Sequence, residues 1–381
     1  MKRRTFIKNS VGATISGAAV VNGLYMNQLF GKTSGHLPSI DIPSPHLTRL
    51  KVKPIQTNMY HTAEWEGPCR FNVVGMEEEK ARAISYFDYF KGIIKKNEFG
   101  INLNDVDIMD PSLVLSTESF EITEEQYRQI DIDAREADVL LVDPAGASIY
   151  AYKLAEKYEK PIVLSGALNC RSVDVAAYSR SKGHELYVAN QDYSFADIFN
   201  LLRARKVFKD TRILYPTDRG WPSVASLAGI NDPYSLKDLY GIGLEKISFT
   251  ELASEMDRLA QNSHALGEAD KIAETMFGNA EHAYLKEKHV AKSMVFYQAV
   301  INLMKKHNCN SFTIECFEFC VSRLPQKWNI TPCLIHTMFK DLGIPSACEG
   351  DLGGLLSMHM LMSVSKKSAH MGNMFYDDGG E

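Results

Sequence analysis

The sequence lacks an excess of basic residues. Its 42 Lys and Arg residues are outnumbered by 47 Asp and Glu residues, which gives a net charge of -5. A protein that binds nucleic acid through charge usually carries a basic surface and a pI above about 9. The acidic balance therefore argues against nucleic acid as a partner and leaves small molecules as the expected ligands.

Long apolar runs and paired cysteine motifs are also missing. No stretch approaches the roughly 20 apolar residues that a helix needs to cross a bilayer. The seven cysteines are an odd number, and none forms a C-x-x-C pair. An integral membrane protein, a disulfide scaffold and a tetrahedral zinc site are therefore not expected, and the cysteines are interpreted as buried structural residues.

Several common catalytic motifs are incomplete. Gly241-Ile242-Gly243 has no third glycine for a dinucleotide fingerprint, and Gly31-Lys32-Thr33 has Met26 where a phosphate loop needs glycine. No second His follows His184-Glu185 at the zinc-protease spacing, and no G-x-S-x-G elbow occurs. Nucleotide binding, zinc proteolysis and serine hydrolysis thus lack their sequence signals.

The first residues, MKRRTFIK, resemble a twin-arginine export signal, because Arg3-Arg4 precede Phe6, Ile7 and Lys8 and then a weakly apolar stretch. A general secretory leader, which also starts with basic residues, is the alternative. The pattern predicts a signal at residues 1–30, a Gly- and Pro-containing linker at 31–46, export to the periplasm and the twin-arginine translocase as a transient partner. No A-x-A cleavage site is visible, so an uncleaved leader that tethers the protein to the membrane is a second alternative.

From residue 47 onward, apolar segments alternate between strand-like and helix-like patterns. Strands are predicted at residues 71–75, 139–142, 161–164, 212–215, 246–249 and 311–314. Helices are predicted at residues 77–96, 148–158, 194–208, 280–307 and 334–342. Such alternation predicts parallel sheets with helices on both faces. Because 381 residues exceed one ordinary domain, we predict an α/β fold of two doubly wound parallel-sheet domains, at 47–170 and 171–345.

Acidic residues follow several of these strands. The candidates are Asp143, Asp218, Glu315, Glu349 and Asp351. In open α/β sheets ligands bind beyond the carboxyl ends of the strands, and two carboxylates there can share a hard cation such as Mn²⁺ or Mg²⁺. The alternative is structural, because an Asp at a strand end often caps the next helix.

Two of these places stand out. Asp218 is followed by Arg219 and Trp221, which offer the polar and apolar groups that a sugar site uses. The segment Cys348-Glu349-Gly350-Asp351 places two acids between apolar segments, where a charge is costly unless a metal or hydrogen bonds compensate. Metal binding and helix capping by Asp351 both remain open at this point.

These residues lie in motifs that resemble the L-fucose isomerase and L-arabinose isomerase superfamily, in particular its exported members. The similar segments are Lys53-Pro54-Ile55, Glu64-Trp65-Glu66-Gly67-Pro68-Cys69, Thr313-Ile314-Glu315-Cys316-Phe317, Thr331-Pro332-Cys333-Leu334 and Gly343-Ile344-Pro345-Ser346-Ala347-Cys348-Glu349-Gly350-Asp351-Leu352. The last segment is the most specific, and the resemblance extends from about residue 47 onward.

The resemblance implies a metal-dependent aldose–ketose isomerase that uses Mn²⁺, acts on a monosaccharide and forms a homo-oligomer. In that chemistry the metal polarises the carbonyl of an open-chain sugar, and a carboxylate carries a proton between C2 and C1 through an enediol. The resemblance implies Glu315 and Asp351 as metal ligands and catalytic acids, with Glu318 as a weaker candidate for the role of Glu315. Asp218, Arg219 and Trp221 are expected substrate contacts, together with Trp65.

The resemblance also implies a C-terminal domain that contains a β-barrel and supplies a histidine as the third metal ligand. The sequence ends at Glu381, so we expect residues 346–381 to be the start of a truncated C-terminal domain. His359 and His370 are the available histidines, and the apolar surroundings of His359 favour a core position. The alternative function is an exported carbohydrate-binding protein without catalysis, in which Trp65 and Trp221 stack on sugar rings.

Overall fold

The computed structural model describes residues 42, 44–62, 75–145, 148–166, 170–189, 194–220, 232–233 and 235–372. The predicted leader, residues 71–74 of the first predicted strand, Trp65 and Trp221 lie outside these ranges. The chain divides into two compact units, Thr48–Lys206 and Val207–Glu381, the second together with Met1–Leu47. Both combine helices with a parallel sheet, which confirms the predicted α/β class. Within the described ranges no helix is long and apolar enough to span a membrane.

The first unit is built on a six-stranded parallel sheet with the order β2-β1-β4-β5-β6, in which β3 also pairs with β1. Its strands are β1 (Leu50–Tyr60), β2 (Val106–Ile108), β3 (Ser112–Thr117), β4 (Val139–Asp143), β5 (Ile162–Leu164) and β6 (Leu186–Val188). Its helices are α1 (Met76–Lys95), α2 (Glu124–Glu136), α3 (Ile149–Tyr158), α4 (Cys170–Ser181) and α5 (Phe195–Lys209).

Strand β4 shows why this sheet needs helices on both faces. Leu140 and Val142 pack in one buried cluster with residues of α2, α3 and α4. Val139 and Leu141 point the other way and pack in a separate cluster that includes Phe199 of α5. Because side chains alternate along a strand, four consecutive apolar residues supply two cores.

The second unit is built on a four-stranded parallel sheet with the order β10-β9-β7-β8. Its strands are β7 (Arg212–Pro216), β8 (Gly243–Ile247), β9 (Ser311–Thr313) and β10 (Ser346–Ala347). Its helices are α6 (Ser235–Tyr240), α7 (Phe249–Ala260), α8 (Ser263–Asn279), α9 (Glu287–Lys306), α10 (Cys316–Val321), α11 (Leu324–Trp328), α12 (Cys333–Asp341) and α13 (Leu352–Ser365).

The same alternation divides this core. Leu214 of β7 belongs to a large cluster with residues of α7, α8 and α9, whereas its neighbour Ile213 packs with Leu236 of α6 and Leu355 of α13. The sheet therefore lies between two helical layers. This leaves the carboxyl ends of its strands as the edge where polar residues gather.

Two domain boundaries differ from the prediction. Strand β6 pairs with β5, with Ile162 opposite Leu186, so the first sheet continues past residue 170 and the first unit ends at Lys206. Strand β10 pairs with β9, with Ser346 opposite Phe312, so the described residues from 346 onward belong to the second unit and do not start a separate domain. In both cases a short strand joins a sheet whose other strands are distant in sequence.

The cysteines also differ from the prediction. Cys309 is buried, as expected, but Cys170, Cys320 and Cys333 are exposed. All the cysteines that the structure describes are free thiols. The interpretation of the cysteines as buried structural residues is therefore wrong for these three exposed residues.

Candidate functional site

The candidate site lies at the carboxyl ends of β7, β9 and β10 in the second unit. Because the strands are parallel, the segments that follow them meet at one edge of the sheet. The backbone N–H of Gly350 donates to the carbonyl oxygen of Ile314 at 2.9 Å, which holds the segment after β10 against the end of β9. Four of the predicted acids follow the strands of this edge: Asp218, Glu315, Glu349 and Asp351.

Glu315 ends the segment after β9 and is the N-cap residue of α10. One carboxylate oxygen, Oε2, accepts a short hydrogen bond from the backbone N–H of Glu318. The side chain is buried, with 3% of the residue exposed, and its other oxygen, Oε1, has no hydrogen-bond partner among the described residues. One oxygen is thus fixed, whereas the other is buried without a partner among the described residues.

The surroundings of Glu315 favour its protonated form. Burial raises the pKa of the carboxyl group, and the nearby charge of Glu318 adds to that rise. Hydrogen bonds from the backbones of Glu318 and Phe317 and the positive charge of Arg219 oppose the rise, and the net pKa is raised. A raised pKa makes an ionised carboxyl group a stronger proton acceptor than an ordinary Glu.

Glu318 is also buried, but its carboxylate is fully used by the segment that follows β7. Oε1 accepts from the backbone N–H groups of Asp218 at 3.0 Å and Arg219 at 2.7 Å. Oε2 accepts from the Thr217 hydroxyl at 2.6 Å. Sequence reasoning gave Glu318 too little weight, although its place three residues after the N-cap is where capping boxes carry a Glu.

Asp218 has a structural role here. Its Oδ1 accepts from the backbone N–H of Phe249, the first residue of α7, at 3.0 Å. The Arg219 side chain is exposed and close enough to Glu315 to lower its pKa by electrostatic attraction. Of the expected substrate residues after β7, the structure therefore places Arg219 within electrostatic range of Glu315 and uses Asp218 to cap α7.

Asp351 is the N-cap residue of α13, and its Oδ1 accepts from the backbone N–H of Gly354 at 2.9 Å. A Cβ atom at Gly354 would lie 2.5 Å from Asp351 Oδ2 and 3.3 Å from Met371 Cε. Only glycine lets the carboxylate lie this close to the helix. The capping role that the sequence left open is present in the structure.

The residues before Asp351 form a tight left-handed turn. Glu349 and Gly350 have φ values of 64° and 62°. The backbone N–H of Glu349 donates to Cys316 Sγ at 3.4 Å. A non-glycine residue in this conformation costs about 1–3 kcal/mol and persists where its surroundings hold it, which is common near functional sites.

The described residues do not by themselves form the manganese site that the resemblance implies. Within the described ranges no group of three or more His, Cys, Asp and Glu side chains is arranged to hold a metal ion. Glu315 and Asp351 each use one oxygen to accept from a helix N-terminus, and Glu315 Oε1 is a single available oxygen. Hard divalent cations need several oxygen ligands.

The two histidines considered as a third ligand have other positions. His359 is 1% exposed, with Nε2 at 2.7 Å from the Thr211 hydroxyl, and its ring stacks on Phe208 with the centroids 4.5 Å apart. It is the core residue that its apolar surroundings predicted. His370 is exposed, although the next residue, Met371, returns to the first turn of α13 beside Gly354.

Asp143 belongs to the other unit, where it ends β4 opposite Gln56 of β1. Gln56 Nε2 donates to Asp143 Oδ2 at 2.8 Å, and Ser165 provides a second hydrogen bond. Burial raises the pKa of the Asp143 carboxyl group. These contacts hold the Asp143 side chain at the ends of neighbouring strands, as a structural role requires. Trp65 and Trp221 lie outside the described residues, so their roles stay predictions.

No family model matches the chain, and no curated protein matches it. Among solved structures, an ABC transporter periplasmic solute binding protein from Actinobacillus succinogenes 130z with bound D-allose is similar at 12% sequence identity, over 87% of this chain and 96% of that one. The TM-score is 0.20, so this similarity carries no conclusion about the present chain.

Proposed function

We propose that the protein is an aldose–ketose isomerase in which Glu315 transfers the proton. The observation that carries the proposal is the unequal use of the two Glu315 oxygens. Oε2 is fixed by the Glu318 backbone, whereas Oε1 is buried at the carboxyl edge of the sheet without a partner in the described part of the chain. An unsatisfied buried acceptor costs about 1–3 kcal/mol. A hydroxyl-bearing ligand that offers a hydrogen to Oε1 would remove this cost.

The proposed reaction uses residues of the chain itself. Glu315 removes the proton from C2 of the open-chain aldose, and the electron pair forms the C1–C2 double bond of an enediol. The protonated Glu315 then returns the proton to C1 while the O2 hydroxyl proton moves to O1. The sugar gains and loses no atoms or electrons overall, as an isomerisation requires.

Arg219 supports this step because the carbonyl oxygen gains negative charge as the C2 proton leaves. A positive side chain at this place stabilises that charge more strongly in the transition state than in the substrate. The Mn²⁺ implied by the resemblance would polarise the same carbonyl, but the described residues do not complete a site for it. The choice of a monosaccharide as substrate rests on the resemblance.

The proposal is tested by incubating the full chain with a panel of aldoses and ketoses in D₂O, with added Mn²⁺ and with EDTA. Deuterium incorporation at C2 and C1 is followed by NMR together with interconversion of the sugars. We expect turnover by the wild type and a loss of at least about 100-fold in Glu315→Gln, the scale expected for a general base. Glu281→Gln, at an exposed position, is the matched control. Absence of both exchange and turnover in the wild type would refute the function.

A carbohydrate-binding protein without catalysis is the second candidate. The capping contacts of Asp218 and Asp351 favour it, because both carboxylates serve structural roles. Isothermal titration with the same sugars distinguishes the two. Binding that survives both Glu315→Gln and Asp351→Asn, without turnover in the wild type, supports this candidate, and loss of binding in both variants contradicts it.

A further inference from the structure

Helix α10 begins with two acids that have different surroundings. Glu315 and Glu318 are three residues apart, so their side chains lie on the same side of the first turn. Glu315 keeps one oxygen without a partner in the described residues, whereas both oxygens of Glu318 accept hydrogen bonds. The pattern separates an acid that can meet a ligand from an acid that supports its neighbours.

The three donors to Glu318 all come from the segment after β7. This segment is constrained further by Thr217, whose hydroxyl oxygen accepts from the backbone N–H of Gly220 at 2.8 Å. Gly220 has a φ of 84°, and a Cβ atom there would lie 3.1 Å from Lys246 Nζ. The segment therefore has a tight conformation whose central N–H groups point to the Glu318 carboxylate.

We infer that Glu318 is a positioning residue, whose carboxylate holds residues 217–219 in the conformation that keeps Arg219 within electrostatic range of Glu315. The inference rests on the proposed function for its catalytic consequence. Its structural part stands on three hydrogen bonds of 2.6 to 3.0 Å between residues about 100 positions apart in sequence. Glu318 itself contacts no reacting atom in this scheme.

Two substitutions separate positioning from charge. Glu318→Gln keeps the oxygen that accepts from Asp218 and Arg219, and its amide group can donate to the Thr217 hydroxyl oxygen. Glu318→Leu has a similar volume and removes every acceptor. If Glu318 acts through hydrogen bonds, Glu318→Gln keeps most of the activity and amide protection that Glu318→Leu loses. If it acts through its charge or as a proton carrier, both variants lose the same amount.

The first measurement is backbone amide hydrogen exchange in the full chain, which needs no substrate. We expect the amides of Asp218 and Arg219 to exchange much faster in Glu318→Leu than in the wild type, and to keep most of their protection in Glu318→Gln. The amides of Leu214 and Tyr215 in β7 report whether the sheet is intact. Thr217→Val, which removes one of the three bonds, is the milder variant if Glu318→Leu does not fold.

The second measurement is kcat/KM for the sugar that the wild type converts. Displacement of a positioned group by 1 Å can lower a rate about 100-fold, and we expect a loss of this size in Glu318→Leu with recovery in Glu318→Gln. Arg219→Met should cause a comparable loss. Because Glu318 acts through Arg219, Glu318→Leu should add little in the Arg219→Met background.

The outcomes are distinguishable. Unchanged exchange at Asp218 and Arg219 in Glu318→Leu overturns the positioning role, whether or not the protein has activity. Two results would show that Glu318 does not act through Arg219. One is an equal loss of kcat/KM in Glu318→Gln and Glu318→Leu. The other is a loss in the double variant Glu318→Leu, Arg219→Met that equals the product of the two single losses. A wild type that converts no sugar refutes the proposed function instead, and the exchange measurement then decides the positioning role alone.

Discussion

The backbone N–H of Glu318 donates to the carboxylate of Glu315, so one contact both starts helix α10 and fixes the direction of the Glu315 side chain. A helix N-terminus is a good place for a carboxylate because its N–H groups lack partners within the helix. Since the cap uses only one oxygen, the other remains at the sheet edge. The local rules of helix capping thus leave one oxygen of Glu315 buried without a partner among the described residues.

The buried carboxylate of Glu315 is expected to lower the free energy of unfolding at neutral pH. Because the pKa of Glu315 is raised in the folded protein, folding favours the protonated form. The contribution of this group to stability is present below its unfolded pKa of about 4.3 and is lost as the pH rises through the folded pKa. Glu315→Gln should therefore be more stable than the wild type at pH 7, by up to about 1 kcal/mol, and this difference should shrink toward pH 4.

Urea unfolding of both proteins at pH 7 and pH 4 measures this difference. Glu281→Gln, at an exposed position, should show no such change. A Glu315→Gln variant that is less stable than the wild type at pH 7 would mean that Oε1 has a favourable partner and would weaken its proposed availability to a ligand.

Gly354→Ala should destabilise the second unit by about 1–3 kcal/mol, as expected for overpacking at a fixed site. The new Cβ atom would lie 2.5 Å from Asp351 Oδ2, so the carboxylate must leave its capping position. Gly267→Ala in α8 is the matched control, because no atom lies within 4 Å of its Cβ position. That change should instead stabilise by about 0.5–1 kcal/mol. Thermal unfolding compares the two.

The short distance between the Cβ position of Gly354 and Asp351 Oδ2 predicts that a second substitution partly restores the stability that Gly354→Ala loses. Shortening the neighbour with Asp351→Ala loses the cap, which costs about 1 kcal/mol, but it also removes the atom that meets the new methyl group. The double variant Asp351→Ala, Gly354→Ala should therefore be more stable than the sum of the single losses predicts. Simple additivity would show that the two positions are not in contact.

His336 predicts a loss of stability in acid. Burial, with the nearby charge of Lys340, lowers its pKa to about 3, while the unfolded chain binds a proton near pH 6.5. The stability that neutral His336 contributes is therefore complete above about pH 6.5 and falls by at most about 1.4 kcal/mol per pH unit below it. Urea unfolding of His336→Gln between pH 7 and pH 4 should show a shallower fall than the wild type. The exposed His264→Gln should follow the wild type; equal slopes in all three proteins would contradict the assignment.

Much of the fold follows from local patterns. The buried strand predicted at 139–142 and the helix predicted after it are both present, because apolar runs and helical periodicity are properties of adjacent residues. The helix before that strand, α2, was not predicted. Strand β1 was not predicted, because it contains buried polar residues. Lys53 is buried with its Nζ 2.6 Å from Asp133 Oδ2, and Gln56 pairs with Asp143. Partners 80 or more positions away make these residues suitable for a strand, and no local window contains them.

In the candidate site, too, some residues could be predicted from local sequence, and others depend on distant partners. Glu315 and Asp351 could be placed at strand ends from sequence, and the capping alternative for Asp351 was visible in its position before a helix. Glu318 was a weaker candidate in the sequence, but its partners could not be predicted, since its three donors follow a strand about 100 residues earlier. Residues that support a site through distant backbone groups leave a weaker signal than residues that start a helix.

Chelation should leave the fold intact. The turns that carry Glu315 and Asp351 are held by backbone N–H groups, and the 348–351 segment is held by the bond from Gly350 to Ile314. A structural metal contributes its binding free energy to folding, so a fold that depends on one unfolds when the ion is removed. Dialysis against EDTA should therefore leave the circular dichroism spectrum and the melting temperature unchanged, with Asp351→Asn treated in parallel. A large drop in the melting temperature of the wild type, reversed by Mn²⁺ and missing in Asp351→Asn, would show instead that Asp351 binds an ion on which the second unit depends.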